Sequence, residues 1–138
     1  MSESMIGFVK KSKLPTVNEF RKLVKEQGLE LDEQNETTDL TEVDGCWTGN
    51  LKGKEVAFEW GIYLLEVEER EEYIEDFSEE YENFEEALGD KDCVIDFAVR
   101  SEADIDASMI SFCILSKISD AIFFDANEEL RVNSDTCE

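Results

Sequence analysis

The ionisable side chains of this sequence are concentrated in residues 66–86, which read EVEEREEYIEDFSEEYENFEE. Twelve of these residues are acidic and one, Arg70, is basic, so the net charge of the segment is −11. Carboxylates at this density can bind cations, exchange protons or attract a positively charged macromolecule. Because like charges repel one another and oppose compaction, we expect the segment to serve a purpose other than folding.

The rest of the sequence offers few groups for enzymatic chemistry. It contains no histidine, which excludes Ser-His and Cys-His nucleophiles and histidine-ligated metals. The glycine-rich phosphate-binding motifs and the G-x-S-x-G motif are missing from it as well. Paired carboxylates could hydrolyse glycosides, but a chain with 36 acidic residues contains such pairs by chance. We therefore predict a protein that is not an enzyme and that needs no cofactor.

Acidic residues outside the segment give two weaker signals. Asp104 and Asp106 are spaced like the start of a calcium-binding loop, but Met109 and Leu115 occupy the positions where an EF-hand needs glycine and glutamate. The sequence therefore predicts no metal site. Asp96 interrupts an apolar strand pattern; we expect it on the solvent face of the strand, and the alternative is a pocket carboxylate with a raised pKa.

Apolar residues within and after the acidic segment recur at helical spacing, which predicts one amphipathic helix ending near Gly89. The residues of this apolar stripe are Tyr73, Phe77, Tyr81, Phe84 and Leu88. Most of the acids fall on the side away from the stripe, and we predict that this side forms a protein-binding face with a tyrosine at its edge. The predicted binding residues are Glu68, Glu71, Glu72, Glu75, Asp76, Glu79, Glu82 and Glu86, with Tyr73 and Tyr81.

The other segments alternate between strand and helix patterns. A first strand over residues 5–11 precedes a helix that Thr16 caps and Gly28 ends. Lys52-Gly53 predicts the turn of a hairpin. The inward face of its second strand is predicted to hold Val56, Phe58, Trp60, Ile62 and Leu64. A strand from Cys93, a buried helix and a final hairpin complete the chain, and the helix is predicted to face inward through Met109, Ile110, Cys113, Ile114 and Ile118.

Helices interspersed with hairpins predict an α+β fold: a two-layer sandwich of a mostly antiparallel sheet with two or three helices. The length of 138 residues suits a single domain over residues 1–138. Within it we predict a loop over residues 29–45, with a short strand at Leu29–Leu31 as an alternative. Residues 134–138 are predicted to form a frayed tail.

The net charge of −23 limits the kinds of partner that the chain can bind. Binding to nucleic acid through phosphates needs a large basic surface, and anionic membranes repel an acidic protein. The sequence has no apolar run long enough to span a bilayer, and its start lacks the order of a secretory signal. We therefore predict a cytoplasmic protein whose four cysteines are free thiols.

These features favour a protein that binds and neutralises a basic macromolecule. In composition and architecture the chain resembles the small acidic immunity proteins of bacteria, which cap the active site of a cognate toxin. The resemblance implies a basic toxin domain as partner, such as a nuclease, and binding without catalysis. Two alternatives stay open: a nucleic-acid mimic that inhibits a DNA-binding protein, a restriction enzyme or a CRISPR system, and an enzyme or small-ligand domain with a pocket between sheet and helices.

Overall fold

The computed structural model of the chain describes residues 3–33, 38–43, 45–79, 83–99, 102–125 and 131–132. Two residues of the predicted binding face, Tyr81 and Glu82, lie outside these ranges, and so does the tail predicted over residues 134–138.

Among the described residues, seven strands form one sheet in the order β2-β3-β4-β5-β1-β6-β7. Every neighbouring pair of strands in this order is antiparallel, so the antiparallel sheet predicted from the sequence is confirmed. The strands are β1 (Glu3–Val9), β2 (Leu29–Leu31), β3 (Gly45–Leu51), β4 (Lys54–Leu64), β5 (Cys93–Val99), β6 (Ile122–Asp125) and β7 (Arg131–Val132).

Helices occupy the connections between strands, which confirms the α+β class. Within the described residues they are α1 (Val17–Lys25), α2 (Val67–Ser78), α3 (Phe84–Leu88) and α4 (Glu102–Ser119), with 3-10 turns at Lys11–Lys13 and Leu40–Glu42.

Local sequence signals account for the first helix and for the central hairpin. Thr16 lies at the N-cap of α1, where its Oγ1 accepts a hydrogen bond from the backbone N–H of Glu19 at 3.2 Å. Lys52 and Gly53 both have positive φ angles, 50° and 91°, which is the geometry of the two-residue turn that matches the twist of a hairpin. Both features follow from residues only a few positions apart.

The main hydrophobic core lies between one face of the sheet and helices α1 and α4. Aromatic rings fill its centre: Trp60 meets Trp47 edge-to-face with centroids 5.3 Å apart, and Phe97 meets Phe112 in the same way at 4.4 Å. Phe20 of α1 is fully buried against both tryptophans. Dense burial on this face makes it the principal source of stability.

A second, smaller cluster lies on the opposite face of the sheet, under α2 and α3. It joins side chains of β1, β5 and β6 to one side of each helix, so helices cover part of both faces. Its buried members are Phe8, Phe84, Leu88, Val94, Ile122 and Phe124.

The most deeply buried side of helix α4 differs from the one predicted. Met109, Ile110, Cys113 and Ile114 pack against the core as predicted but are only half-buried, and Ile118 is exposed. The buried side is instead rich in serine, and it consists of Asp104, Ala107, Ser108, Ser111, Phe112, Leu115, Ser116 and Ser119.

The segment predicted as a loop over residues 29–45 contributes to the core. The alternative strand at Leu29–Leu31 is present as β2, and a 3-10 turn follows at Leu40–Glu42. Leu40 and Val43 are buried. The indole N–H of Trp60 donates to the carbonyl of Leu40 at 3.3 Å, which holds this turn against the sheet. The structure therefore shows the alternative strand at Leu29–Leu31, and the described residues 32–33 and 38–43 belong to no named strand.

The cysteines do not all have the predicted state. Cys46 and Cys93 are free thiols, whereas Cys113 is disulfide-bonded. The prediction of free thiols is therefore wrong for Cys113, and Cys137 lies outside the described residues.

Candidate functional site

Helix α2 carries most of the acidic segment, and its single arginine fastens it to the rest of the molecule. The guanidinium of Arg70 donates to the carbonyl of Lys91 at 3.0 Å and also to the carbonyl of Gly89. Arg70 therefore bonds to the backbone ahead of β5 and forms no salt bridge with the acids around it among the described residues. The one basic side chain of the segment therefore anchors the helix to the backbone and does not pair with the neighbouring carboxylates.

The two sides of α2 differ sharply in exposure. The half-buried side, which faces the sheet, consists of Glu69, Arg70, Tyr73, Ile74 and Phe77. The opposite side is solvent-exposed and carries carboxylates at successive turns, as the helical spacing predicted. We call this exposed set the acidic face; it comprises Glu68, Glu71, Glu72, Glu75 and Asp76 of α2 with Glu79 at its C-cap.

No basic side chain neutralises the acidic face among the residues that the structure describes. The two salt bridges found there, Lys10–Asp90 at 2.6 Å and Lys91–Asp120 at 3.9 Å, involve other elements. The acidic face therefore keeps its charge directed to solvent, where it adds to the potential of the whole acidic chain.

Tyr73, which the sequence predicts at the edge of the binding face, is half-buried and contacts the sheet. Its ring packs edge-to-face on Phe8 of β1, with centroids 5.3 Å apart, and stacks on Phe77 at 5.9 Å. Burial raises the pKa of its hydroxyl, and the carboxylate of Asp96 raises that pKa further. Tyr73 therefore belongs to the contact between α2 and the sheet.

The acidic segment does not form the single helix that was predicted. Helix α2 ends at Ser78, and the chain enters α3 through Asn83, whose φ of 63° is left-handed. Asparagine tolerates this conformation better than most residues. Phe84 and Leu88 of α3 are buried beside Phe77, so the apolar stripe is kept although the helix is interrupted. Glu86 is exposed on α3, on a different helix from the acidic face.

Sequence analysis missed an exposed apolar patch beside the acidic face. Among the described residues, the large apolar side chains that stay exposed are Tyr63, Leu64, Val67 and Ile118. The first three fall within residues 63–67, where β4 leads into α2. The signal in the sequence was Val67, an isolated apolar residue four positions before Glu71 on the outward side of the helix.

Asp96 lies on the open part of the second sheet face, as expected for the solvent side of its strand. It pairs with Gly61 across β4 and β5, and both residues line a shallow cleft of about 380 Å³ with Glu59 and Tyr63. Desolvation raises the pKa of the Asp96 carboxyl. A side chain at Gly61 would collide with Tyr63, because an added Cβ would lie 2.5 Å from the tyrosine hydroxyl. The Tyr63 ring therefore lies over Gly61 in this cleft.

The described residues show no metal cluster, and the buried thiol of Cys93 is not activated. No group of three or more histidine, cysteine, aspartate or glutamate side chains among them is placed to hold a metal ion. Burial raises the pKa of the Cys93 thiol to about 11, so this thiol is neutral near pH 7 and a poor nucleophile.

A second surface groove lies beside α1 and β2. Arg21, Lys22 and Lys25 of α1 line this open groove of about 590 Å³. Carboxylates of Glu30, Asp32 and Glu33 line it as well, so its charge is mixed. It is therefore a weaker candidate for a binding site than the acidic face.

Comparison with known proteins adds no functional assignment. No protein-family model, curated protein or solved structure matches the chain. Within the described ranges, none of the helices is both long and apolar enough to cross a bilayer. The geometry and charge of the acidic face are thus the basis on which a function is proposed.

Proposed function

We propose that the protein binds a basic macromolecule through the acidic face and neutralises it without catalysis. The observation that carries the proposal is the exposure of Glu68, Glu71, Glu72, Glu75 and Asp76 on one side of α2, with no basic partner among the described residues. A helix that served only solubility would gain stability from interleaved lysines at i,i+4 spacing. This helix forgoes that gain and is held rigidly by Arg70 and by its aromatic contacts with the sheet.

Electrostatic steering is the mechanism by which this surface would act. A concentrated negative potential raises the association rate of a basic partner by about 10- to 1,000-fold at low salt. Anchoring of α2 through Arg70 reduces the backbone entropy lost on binding. The acidic face therefore favours fast association with a partner that has an anion-binding surface.

Among proteins that neutralise a basic macromolecule, we propose that this one has a toxin-immunity role, in which the basic partner is a toxin domain such as a nuclease. A nuclease carries a positive surface for phosphates, and an acidic protein that covers this surface blocks the substrate. Mimicry of nucleic acid uses the same physics against a DNA-binding protein. A toxin gene directly upstream of the gene for this chain favours immunity, and capture of a repressor, restriction enzyme or CRISPR effector favours mimicry.

The test is affinity capture from the native host at low salt, followed by mass spectrometry and then binding measurements with the purified partner. We expect one basic protein to be enriched and released by salt. The variant Glu72→Lys/Glu75→Lys should bind this partner at least tenfold more weakly at low salt, mostly through slower association. Both residues are exposed, so the fold should be kept.

A matched control separates local charge from net charge. Glu26→Lys/Glu30→Lys makes the same change in net charge at exposed positions near α1 and β2, away from the acidic face. We expect this variant to bind the partner nearly as well as the unmodified protein. Equal binding by the two double variants would show that the acidic face has no specific role and serves solubility alone.

A second candidate, a small-ligand or enzymatic site, is favoured by the cleft that Asp96 lines. A carboxyl with a raised pKa in a cleft is a typical general acid, and Glu59 lines the same cleft. Its test is a small-molecule screen read by chemical shifts of Gly61 and Ala98. Specific shifts that Asp96→Asn abolishes would support this role.

The cytoplasmic location predicted from the sequence is part of the proposed immunity role. The disulfide of Cys113 weighs against it, because disulfides seldom persist in a reducing cytosol. Fractionation of the native host, with thiol labelling of Cys113 in each fraction, tests the location.

A further inference from the structure

An exposed apolar patch adjoins the acidic face where β4 passes into α2. Leu64 and Val67 are 62% and 73% exposed, whereas the ring of Tyr63 points to the other side of β4 and lies over Gly61. Single exposed apolar residues are common on protein surfaces, but neighbouring ones mark interaction sites. Leu64 and Val67 are only three positions apart, which makes their surroundings a candidate interaction site.

A groove of about 400 Å³ lies beside Leu64. Ile62 and Cys93 line it and are both buried. The neutral thiol of Cys93 adds no charge to the groove. Tyr63, Thr41, Lys11 and Glu66 complete the lining. The groove is large enough to receive one large apolar side chain.

The patch and the acidic face are continuous along the chain. Glu66, which lines the groove, is the N-cap residue of α2, and Val67 is its first residue. Val67, Glu71 and Glu75 follow one another at intervals of four, so they form one row on the outward side of the helix. A partner that fills the groove would therefore lie against the carboxylates as well.

The charge of the protein decides which occupant fits. A second copy of this chain also carries −23, so two copies repel each other wherever the acidic faces approach. A basic partner is attracted to the same place. Interfaces of this type place an apolar anchor in a pocket and surround it with complementary charges.

We propose that the groove beside Leu64 receives a large apolar side chain of the basic partner, flanked there by lysine or arginine residues that meet Glu66, Glu68 and Glu71. This inference rests on the proposed function and adds the anchor that gives the interaction specificity. The carboxylates supply the rate of association, and the groove supplies the lifetime of the complex.

The experiment uses two synthetic probes with the full-length protein at low salt. One probe is a short amidated peptide of lysines with a single central phenylalanine, and the other has serine in place of that phenylalanine. Isothermal titration calorimetry should show that the phenylalanine peptide binds about tenfold more tightly. Methyl NMR should show shifts at Leu64 and Val67 with the phenylalanine peptide and much smaller ones with the serine peptide.

Two variants separate the anchor from general apolar contacts. Leu64→Ser/Val67→Ser should bind both peptides equally, because it removes apolar surface at the groove and leaves every carboxylate in place. Ile118→Ser removes another exposed apolar side chain, 42% exposed on α4, and should keep the tenfold preference. Both variants change exposed residues, and circular dichroism checks that they fold.

The outcomes distinguish this inference from the proposed function. If the unmodified protein binds both peptides equally, or if Leu64→Ser/Val67→Ser keeps the preference, the anchor is refuted while charge-driven binding stands. If neither peptide binds at low salt, the proposed function fails and the anchor fails with it. Analytical ultracentrifugation covers the remaining occupant: a dimer that Leu64→Ser/Val67→Ser dissociates would show that the patch binds a second copy.

Discussion

The rings of Tyr73 and Phe8 meet edge-to-face, with their centroids 5.3 Å apart. This contact joins α2 to β1, a strand in the interior of the sheet. Phe8 also meets Phe84 of α3 edge-to-face at 5.6 Å. One phenylalanine of the sheet therefore holds both helices of the acidic segment, and the orientation of the acidic face depends on it.

Replacement of Tyr73 tests this attachment. Tyr73→Ala should lower the free energy of unfolding by about 2 kcal/mol, because it removes a half-buried aromatic ring from the cluster. Tyr73→Phe keeps the ring and should change stability by no more than about 0.5 kcal/mol. Urea denaturation measures both. An alanine variant as stable as the phenylalanine variant would show that the ring contact does not hold α2.

The raised pKa of Asp96 predicts how stability depends on pH. The folded pKa lies above the unfolded value of about 3.9. Between these two values the folded state binds more protons than the unfolded state, so the contribution of Asp96 to stability falls as pH rises through this window. Asp96→Asn should therefore raise the melting temperature at pH 7, with a gain that shrinks as the pH is lowered below the folded pKa.

Glu55→Gln is the control for Asp96→Asn, because it removes one charge from an exposed position of β4. Calorimetry at several pH values compares the two variants. The same pH-dependent gain in both would assign the effect to net charge and not to desolvation of Asp96.

Charge repulsion along α2 predicts that salt stabilises the protein. Like charges at i,i+4, such as Glu68 with Glu72 and Glu71 with Glu75, each cost about 0.2–0.5 kcal/mol at low salt. Screening lengths fall from about 30 Å at 0.01 M to about 8 Å at 0.15 M salt, so the unfolding midpoint should rise over this range. Glu72→Gln/Glu75→Gln should be more stable at low salt and should gain less from salt. A midpoint independent of salt would contradict this account.

Close packing of backbones at Gly49 predicts a sensitive position in the sheet. A Cβ added there would lie 2.4 Å from the carbonyl oxygen of Glu30 on β2. Gly49→Ala should therefore cost about 1–3 kcal/mol and should speed amide exchange in β2. The methyl group added by Gly61→Ala would contact the side chain of Tyr63, which can move. This substitution should therefore lower the free energy of unfolding by less. If both substitutions lower stability equally, the close approach of β2 is not the reason why position 49 needs glycine.

Short-range signals predicted the parts of the fold that depend on neighbouring residues. The Lys52-Gly53 turn and the Thr16 cap are each set by backbone geometry within four residues. The acids of α2 also fell on the predicted side, because helical periodicity alone decides which residues share a face. The alternation of β4 placed Val56, Phe58, Trp60 and Ile62 in the core as expected, and it failed only at Leu64, where the strand ends.

The inward side of α4 could not be predicted, because apolar residues occur all around this helix. Two of its buried serines bond within the helix: Ser111 Oγ donates to the carbonyl of Ala107 at 3.0 Å and Ser108 Oγ to that of Ile105 at 2.9 Å. Ser119 Oγ donates to the carbonyl of Lys13 at 2.8 Å, whereas Ser116 Oγ has no hydrogen-bond partner among the described residues. Such bonds remove the cost of burying a hydroxyl. A count of apolar residues therefore selects the side of α4 that is only half-buried as the inward side.

The sequence pattern also could not predict the break between α2 and α3. The aromatic spacing is compatible with one helix or with two that share a cluster, and only the packing of Phe84 under Phe77 selects the second. The exposed patch at Leu64 and Val67 was missed for a related reason. Exposure at the junction of a strand and a helix depends on how the two elements cross.

The position of β1 in the sheet has a consequence for synthesis of the protein. This first strand pairs with β5 on one side and with β6 on the other, so both of its neighbours are made much later. Until Val99 has been synthesised, β1 has neither of its partner strands, and the edge that pairs with β6 stays open until Asp125 has been synthesised. Nascent chains of this protein should therefore depend on chaperones, and completion of the sheet should be slow, because contacts between distant residues form late.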